Sequence, residues 1–192
     1  MPFKFLQTVD DSELYYTYKY IKKNKKSVDL YTILFVRSNM SRWNNKVVIF
    51  DLDGTLALID NRRDISMVDG KRDWDIFFDP KNIDMDLPNQ AVIDMARMLD
   101  NTDRYQIFIL SGRSDITRDA TIDWLDRYGV PYDDLIMRPK QHHYMPDNDL
   151  KQMWLNDIGV NNVAMVFDDR QQVVDMWRDN GLTVFQVADG DF

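Results

Sequence analysis

The sequence predicts an α/β protein with a parallel sheet of about five strands and helices on both faces of that sheet. From residue 46 onward, short apolar segments alternate with segments whose apolar residues recur at helical spacing. Such alternation is typical of parallel sheets, because a crossover between parallel strands usually contains a helix. Right-handed crossovers bring the carboxyl ends of all the strands to one edge of the sheet, where we expect the functional residues.

The elements follow one another along residues 46–192. The predicted strands comprise residues 46–51, 105–111, 133–138, 162–168 and 182–187. The predicted helices lie near residues 89–100, 115–128, 148–158 and 171–180. Large apolar residues at helical spacing, among them Met95, Met176 and Trp177, are expected to lie in the core.

One connection is much longer than the others. Residues 57–87 separate the first strand from the first helix and show no regular pattern except a short helical segment at 74–78. Connections of this length in a compact domain are usually functional loops or lids, so we expect a small cap over the site. Its basic residues either face solvent or contact an anionic substrate; they are Arg62, Arg63, Lys71 and Arg72.

The first 45 residues differ in composition from the rest of the chain. They contain eight basic and four acidic residues, a net charge of +4, which leaves −12 for residues 46–192. β-Forming residues at 13–21 and 28–36 flank a basic segment at 22–26, which predicts a β-hairpin extension. Its tyrosines either pack it onto the main domain or stack on bases while its lysines bind phosphates. The residues concerned are Tyr15, Tyr18, Tyr20, Lys22, Lys23, Lys25 and Lys26.

The overall composition narrows the class of protein. The 192 residues carry a net charge of −8, which disfavours broad electrostatic binding to nucleic acid. The absence of cysteine excludes disulfides and thiolate metal sites and favours a cytoplasmic location, in the host cytoplasm if the source is viral. No apolar run approaches the roughly 18 residues of a membrane helix, and the N-terminus lacks the apolar core of a signal peptide. No obligate protein partner is evident, and a homo-oligomer is possible.

The first predicted strand ends in the most informative segment of the chain. Apolar residues 47–50 are followed directly by Asp-Leu-Asp-Gly-Thr at 51–55. Closely spaced carboxylates repel each other unless a cation lies between them or one of them is protonated. The two aspartates at the edge of the sheet therefore predict a metal site, a nucleophile, or both.

The acidic residues at the strand ends fit phosphoryl transfer. Asp51 can attack phosphorus, and Asp53 can protonate the leaving oxygen and later activate water. Mg²⁺ prefers carboxylate and carbonyl oxygens as ligands. Asp51, the carbonyl of Asp53 and a carboxylate from Asp168 or Asp169 would supply such ligands.

Three further residues are predicted at the same edge. The hydroxyl of Ser111 and the amide of Gly112 follow a strand and can donate hydrogen bonds to phosphate oxygens. Taken alone, this pair is also typical of a helix N-cap. Lys151 can neutralise both the nucleophile and the substrate, although a single lysine in a sequence is more often a surface residue.

These motifs resemble those of the haloacid dehalogenase (HAD) superfamily. The segment 51–55 resembles its first motif, Ser111 its second, Lys151 its third and the pair Asp168–Asp169 its fourth. Over residues 46–192 the likeness extends to the C-terminal phosphatase domain of phage-type polynucleotide kinase/3′-phosphatases. It is carried by Leu110–Arg113, Phe167–Val174, Met176–Arg178, Gln186–Phe192 and Asp147, four residues before Lys151.

The resemblance implies a Rossmann-like HAD fold with a small cap insertion, and a role for each motif residue. Asp51 would be the nucleophile and Asp53 the general acid and base, with Asp169 the favoured metal ligand of its pair. Asp147 would orient Lys151. The residues implied to contact the substrate phosphate are Thr55, Arg62, Ser111, Gly112 and Arg113. The supporting residues are Asp147 and Arg170.

The expected activity is that of an Mg²⁺-dependent phosphomonoesterase that forms an aspartyl-phosphate and acts on nucleotides or oligonucleotide ends, above all 3′-phosphates. A 5′(3′)-mononucleotidase is the enzymatic alternative, since an acidic domain repels a long phosphate backbone. A catalytically silent protein that binds nucleic-acid ends or regulates others is the alternative of another class. The sequence contains no Gly-x-x-x-x-Gly-Lys-Ser/Thr loop, so the resemblance does not imply a 5′-kinase activity.

Overall fold

The computed structural model describes residues 46–102 and 104–190. The predicted N-terminal hairpin lies outside the described residues. The strands are β1 (Lys46–Phe50), β2 (Ala57–Leu58), β3 (Met67–Val68), β4 (Lys71–Arg72), β5 (Leu87–Pro88), β6 (Tyr105–Ser114), β7 (Asp134–Arg138), β8 (Val163–Arg170) and β9 (Val184–Gly190). The helices are α1 (Asp60–Ile65), α2 (Trp74–Phe77), α3 (Pro80–Ile83), α4 (Gln90–Asp100), α5 (Arg118–Arg127), α6 (Asp147–Ile158) and α7 (Gln171–Asp179).

Five of these strands form a parallel sheet in the order β7–β6–β1–β8–β9. The prediction of a five-stranded parallel α/β sheet is thus confirmed. Strand β1 is central and ends just before Asp51. Its neighbours are β6, which carries Ser111 near its end, and β8, which carries Asp168 and Asp169 near its end. All three ends therefore lie side by side at one edge of the sheet, which is the arrangement that a site with several contributors needs.

The two faces of the sheet bury separate hydrophobic clusters. Along β1, Val48 and Phe50 point into the cluster that contains residues of α4 and α5, whereas Val47 and Ile49 point into the cluster with α6 and α7. This alternation follows from the two-residue period of a strand. Trp177 is fully buried as predicted, but Met95 is 39% exposed, so its assignment to the core is wrong.

The cap between β1 and α4 is more regular than the sequence indicated. Its two ends meet, because β2 pairs antiparallel with β5. Between them lie α1, the β3–β4 hairpin, α2 and α3. Each of these elements has six residues or fewer, too few to display a hydrophobic period. Only the segment at 74–78 was recognisable in advance.

The strand ends at the site are longer than predicted. Strand β6 continues to Ser114, with a register shift against β7 between Ser111 and Ser114, and β8 continues to Arg170. These extensions carry the polar motif residues as part of the sheet rather than as loops. Among the described helices, none has both the length and the apolar character needed to cross a membrane.

Candidate active site

Asp51 is held at the end of the central strand. Its backbone amide donates a 2.9 Å hydrogen bond to the carbonyl of Phe167 in β8, which places it beside the aspartates that follow. Lys151, from the first turns of α6, reaches the same point. Its Nζ lies 2.6 Å from Asp51 Oδ1 and 2.9 Å from Asp168 Oδ2. Three elements therefore bring the nucleophile candidate, the lysine and the acidic pair together, as the sequence predicted.

Asp168 is used to hold Lys151 in place. Its Oδ2 also accepts a 3.1 Å hydrogen bond from the buried indole Nε1 of Trp177, and its Oδ1 accepts one of 3.2 Å from the amide of Arg170. Both carboxylate oxygens thus have partners within the protein. Asp169 has a different environment, since it lines the cleft and its Oδ1 accepts a 3.2 Å hydrogen bond from Thr55 Oγ1.

The donor set fits a hard divalent cation. Asp51, Asp168 and Asp169 each have a carboxylate oxygen within 4.8 Å of the others, and all three residues are buried. Oxygen ligands of this kind are those that Mg²⁺ prefers. The side chain of Asp53 is not part of this group.

Burial and crowding of negative charge perturb these groups. Burial, with the nearby charges of Asp168 and Asp169, raises the pKa of Asp51 well above its ordinary value, despite the opposing effect of Lys151. Burial and the adjacent Asp168 raise the pKa of Asp169 to about 6. Burial would lower the pKa of Lys151, but Asp168 and Asp51 outweigh it and raise that pKa. One lysine does not balance three carboxylates, so the site favours an additional cation.

Gly54 allows Asp169 to lie close to the first motif. Its φ of +94° lies in the left-handed region, which glycine tolerates best. A Cβ at this position would lie only 2.1 Å from Asp169 Oδ2. The glycine of the first motif therefore meets two requirements at once, the turn after Asp53 and the approach of the metal-ligand candidate.

Asp53 lies in a separate cluster of charges. Arg113 Nε is 3.0 Å from both of its carboxylate oxygens, and Arg62 Nη2 forms a salt bridge with Oδ1. Both guanidiniums also bind Asp86, with Nη2 of each 2.8 Å from Asp86 Oδ2. Burial would raise the pKa of Asp53, but the two arginines outweigh it and hold that pKa well below its ordinary value.

This cluster contains two of the expected phosphate-binding residues and adds one further residue. Arg62 and Arg113 are fully buried and absent from the lining of the cleft. Both guanidiniums form salt bridges with Asp53 and Asp86 in this structure, and their contact with a substrate phosphate stays a prediction. Asp86 was missed because it lies in the cap, where no motif or period marks it.

The phosphate-loop residues are likewise arranged differently from the expectation. Gly112 lines the cleft, whereas Ser111 is buried and its Oγ accepts a 3.2 Å hydrogen bond from the amide of Arg113. Among the described residues, no hydrogen bond joins Asp147 to Lys151, but the negative charge of Asp147 contributes to raising the pKa of Lys151, and its orienting role stays a prediction. Asp147 pairs with Arg138 at 2.6 Å and Arg170 at 3.1 Å.

Arg138, which no motif indicated, connects the phosphate loop to the loop before α6. Its guanidinium donates to the carbonyls of Gly112 (2.9 Å), His142 (2.9 Å) and Met145 (2.6 Å), besides the Asp147 carboxylate. The sequence shows it only as a polar residue at the end of a predicted strand. A polar residue at the end of a predicted strand is also what marked Asp51, Ser111 and Asp168, so this position was the one feature of the sequence that could have indicated Arg138.

A cleft of about 480 Å³ lies above these residues. Its polar lining includes Asp51, Asp53, Lys151 and Asp169. One wall comes from the cap, with Trp74, Phe77 and Phe78, and the other from residues 143–147. This volume is in the range of small-molecule sites, so a nucleotide-sized group fits.

Comparison with solved structures defines the class of protein. A haloacid dehalogenase-like hydrolase from Streptococcus pneumoniae matches with a TM-score of 0.54 at 14% identity, over 73% of this chain and 83% of that chain. L-2-haloacid dehalogenase from Xanthobacter autotrophicus matches with a TM-score of 0.51 at 14% identity, over 73% and 76%. Identities this low establish the fold alone, and the fold is that of the haloacid dehalogenases.

The particular family follows from the sequence. Residues 45–192 match the family described as the polynucleotide kinase PNKP phosphatase domain, and the chain belongs to that family. It is therefore a phosphatase of the haloacid dehalogenase class, and the resemblance read from its motifs is confirmed.

Two relatives are closer in sequence. The predicted bifunctional polynucleotide kinase/RNA ligase of Autographa californica nuclear polyhedrosis virus is 35% identical over 148 residues, which are 74% of this chain and 19% of that protein. A chain in the structure of a Pnkp1/Rnl/Hen1 complex is 37% identical, with a TM-score of 0.62, over 77% of this chain and 47% of that chain. The chain thus spans less than half the length of either relative.

Proposed function

We propose that this phosphatase is an Mg²⁺-dependent phosphomonoesterase that forms an aspartyl-phosphate on Asp51 and removes 3′-phosphates from nucleic-acid ends. The observation that carries the proposal is the bridge from Lys151 Nζ to Asp51 Oδ1 and Asp168 Oδ2, with Asp169 next to it. A carboxylate next to a buried cation at the floor of a cleft is arranged for attack on an anionic phosphate.

Asp51 acts as the nucleophile in this scheme. Among the described residues, Lys151 donates a hydrogen bond to Oδ1 of the Asp51 carboxylate. That leaves Oδ2 to attack phosphorus. The positive charge of Lys151 lowers the repulsion between the carboxylate and the incoming phosphate, and Asp168 with Trp177 keeps the ammonium group in position.

Asp53 handles the proton. Held ionised by Arg62 and Arg113, it can accept a proton from the water that hydrolyses the aspartyl-phosphate. In the first step the leaving oxygen needs a proton, which Asp53 can donate only after it has been protonated itself, so its pKa must rise above the value that its two salt bridges set. The negative charge of a substrate phosphate bound beside Asp53 raises the pKa of this carboxyl, which supplies the reason for that change.

The metal would be held by Asp51, Asp169 and the carbonyl of Asp53. When bound, Mg²⁺ supplies positive charge that stabilises the phosphate oxygens during transfer. Asp168 is a weaker candidate for direct coordination, since both of its oxygens already accept hydrogen bonds. Its part is to hold Lys151.

The choice of substrate rests on the relatives and on the shape of the cleft. The family description and the name of the viral relative both refer to polynucleotide substrates. The cleft has a volume of about 480 Å³, enough for a nucleotide-sized group, and its lining includes the cap aromatics Trp74, Phe77 and Phe78. A 3′-phosphorylated strand end therefore fits better than a phosphate ester without a base.

A phosphate-release panel tests the proposal. The wild-type protein is assayed with and without Mg²⁺ on 3′- and 5′-phosphorylated DNA and RNA oligonucleotides, on 3′- and 5′-mononucleotides and on glycerol 2-phosphate. We expect Mg²⁺-dependent release with 3′-phosphorylated ends preferred, loss on every substrate in Asp51→Asn, and full activity in Asp157→Asn, an exposed acid of α6. Preference for mononucleotides would favour the mononucleotidase instead. Near wild-type activity in Asp51→Asn would overturn its role as the nucleophile.

A further inference from the structure

Two large aromatic side chains at the cleft have exposed rings. Trp74 at the start of α2 is 52% exposed, and Tyr144 in the loop between β7 and α6 is 95% exposed. Both line the cleft that has Asp51 and Lys151 at its floor. An aromatic ring left in water forgoes the burial that stabilises such residues elsewhere, so exposed rings at a site indicate a ligand that covers them.

The exposure of Tyr144 is imposed by a fixed loop. The guanidinium of Arg138 donates hydrogen bonds to the carbonyls of His142, two residues before Tyr144, and of Met145, which directly follows it. The same group is anchored to Asp147 and to the carbonyl of Gly112. On its inner side, the Tyr144 ring makes an edge contact with His143, with centroids 4.9 Å apart. The chain therefore presents this ring from a braced position at the edge of the cleft.

Trp74 is equally well supported on the opposite wall. Asp73 caps α2 by accepting from the amides of Asp75 and Ile76, which fixes the start of the helix. The Trp74 ring stacks on Phe78 with centroids 5.8 Å apart and meets Phe77 edge-on. These contacts stabilise the ring from the protein side and leave about half of it in the cleft.

A positively charged side chain, Arg72, lies beside the Trp74 ring. The guanidinium carbon of Arg72 lies 5.9 Å from the centre of the Trp74 ring. Burial and the neighbouring charges of Arg63 and Arg170 lower the pKa of Arg72, and its Nη1 donates a 3.2 Å hydrogen bond to Ser66 Oγ. A cation beside an aromatic ring suits a phosphodiester next to a base.

We infer that Trp74 and Tyr144 form a binding subsite for the base of the nucleotide whose phosphate is hydrolysed. The inference rests on the proposed function, because it is a phosphate at the Asp51 floor that brings the adjoining base to the cleft walls. Stacking accepts any base, since every base has an aromatic face. A base paired within a duplex has its faces covered by the neighbouring pairs, so stacking on these rings favours an unpaired strand end.

The test compares substrates that differ only in the terminal base. One is a 3′-phosphorylated single-stranded DNA oligonucleotide, and the second carries a stable abasic analogue at its last position. We expect Trp74→Ala and Tyr144→Ala each to lower kcat/KM for the first substrate roughly tenfold, mainly through KM, which is the effect of losing one stacked base. The loss on the abasic substrate should be several times smaller.

Two control variants complete the design. Tyr144→Phe keeps the ring and should retain the preference for the substrate with a base. Met98→Ala removes an exposed apolar side chain of α4 that is outside the cleft, and it should match the wild type on both substrates. Equal losses on both substrates, or no loss in either alanine variant, would overturn the subsite. A wild-type protein that releases phosphate from neither substrate nor from glycerol 2-phosphate would instead overturn the proposed function.

Discussion

The indole Nε1 of Trp177 and the ammonium group of Lys151 bind the same oxygen of Asp168, at 3.1 and 2.9 Å. All three groups are buried. Two donors on one carboxylate oxygen fix its position more firmly than either alone, and Lys151 also contacts Asp51. The core tryptophan of α7 is thereby connected to the nucleophile candidate through three consecutive hydrogen bonds, by way of Asp168 and Lys151.

Replacement of Trp177 by phenylalanine tests this connection. Loss of a hydrogen bond to a charged group should lower the free energy of unfolding by about 1.5–3 kcal/mol, and the freer Lys151 should lower kcat more than it changes KM. Urea unfolding and steady-state kinetics measure the two effects. Trp154→Phe is the matched control, since Trp154 is buried in the same cluster and its indole does not hydrogen-bond to the site residues Asp51, Lys151 or Asp168. A similar fall in kcat in both variants would contradict the connection.

Replacement of Asp86 by alanine should strongly lower the free energy of unfolding. Asp86→Ala leaves Arg62 and Arg113 buried with Asp53 as their remaining carboxylate, and an uncompensated buried charge costs about 3–5 kcal/mol. Thermal and urea unfolding should show this loss. The control is Asp84→Ala, which breaks an exposed pair with Arg127 and should change stability little. Equal effects of the two substitutions would show that the buried cluster is not a structural requirement.

Gly54→Ala should weaken metal binding and also strain the backbone at this positive φ. Alanine at a positive φ costs about 1–2 kcal/mol, and its Cβ would displace Asp169. We expect Mg²⁺ affinity, measured from the Mg²⁺ dependence of phosphate release, to fall roughly 10- to 100-fold. Gly70→Ala isolates the backbone cost, because Gly70 has a φ of +74° and a Cβ added there would meet no neighbouring atom within 4 Å. Equal Mg²⁺ affinity in the two variants would show that the close approach of Asp169 to Gly54 is not required for metal binding.

The salt bridges of Asp53 predict a pH dependence of stability. Its pKa is lower in the folded chain than the ordinary 3.8, so it stabilises the fold above pH 3.8 and that contribution is lost as the pH falls below it. In EDTA, urea unfolding at pH 6 should show Asp53→Asn to be less stable than the wild type. The gap should narrow by pH 3. A gap that is the same at both pH values would show that the ionised carboxylate is not the stabilising species.

The main parts of the fold and of the site were predictable because local patterns and topology determine them. Apolar strands that each end in polar residues require Asp51 and Asp168 to meet at one edge once the sheet is parallel, and Lys151 follows from the helix before β8. The bounds of these elements agree with the prediction within a few residues.

The remaining residues depend on contacts that no local pattern encodes. Asp86 joins Arg62 and Arg113 across the cap, and its segment is too short to show a period. Asp147, the first residue of α6, forms salt bridges with Arg138 and Arg170, which lie in strands β7 and β8 and which no local pattern pairs with it. Trp177 was correctly placed in the core, yet its polar edge acts in the site.

The β2–β5 pair has a consequence for how this domain can change. Because Ala57 lies opposite Pro88, the chain leaves and re-enters the sheet-bearing part at nearly the same place. Residues 58–87 are thus a cassette that can be exchanged for another of different length without altering the order of the sheet strands. Salt bridges still tie this segment to the rest of the domain, from Arg62 to Asp53, from Asp86 to Arg113 and from Asp84 to Arg127, and a replacement segment would have to reproduce or compensate them. The cap can therefore vary without a change in the sheet, within the limits that these contacts set.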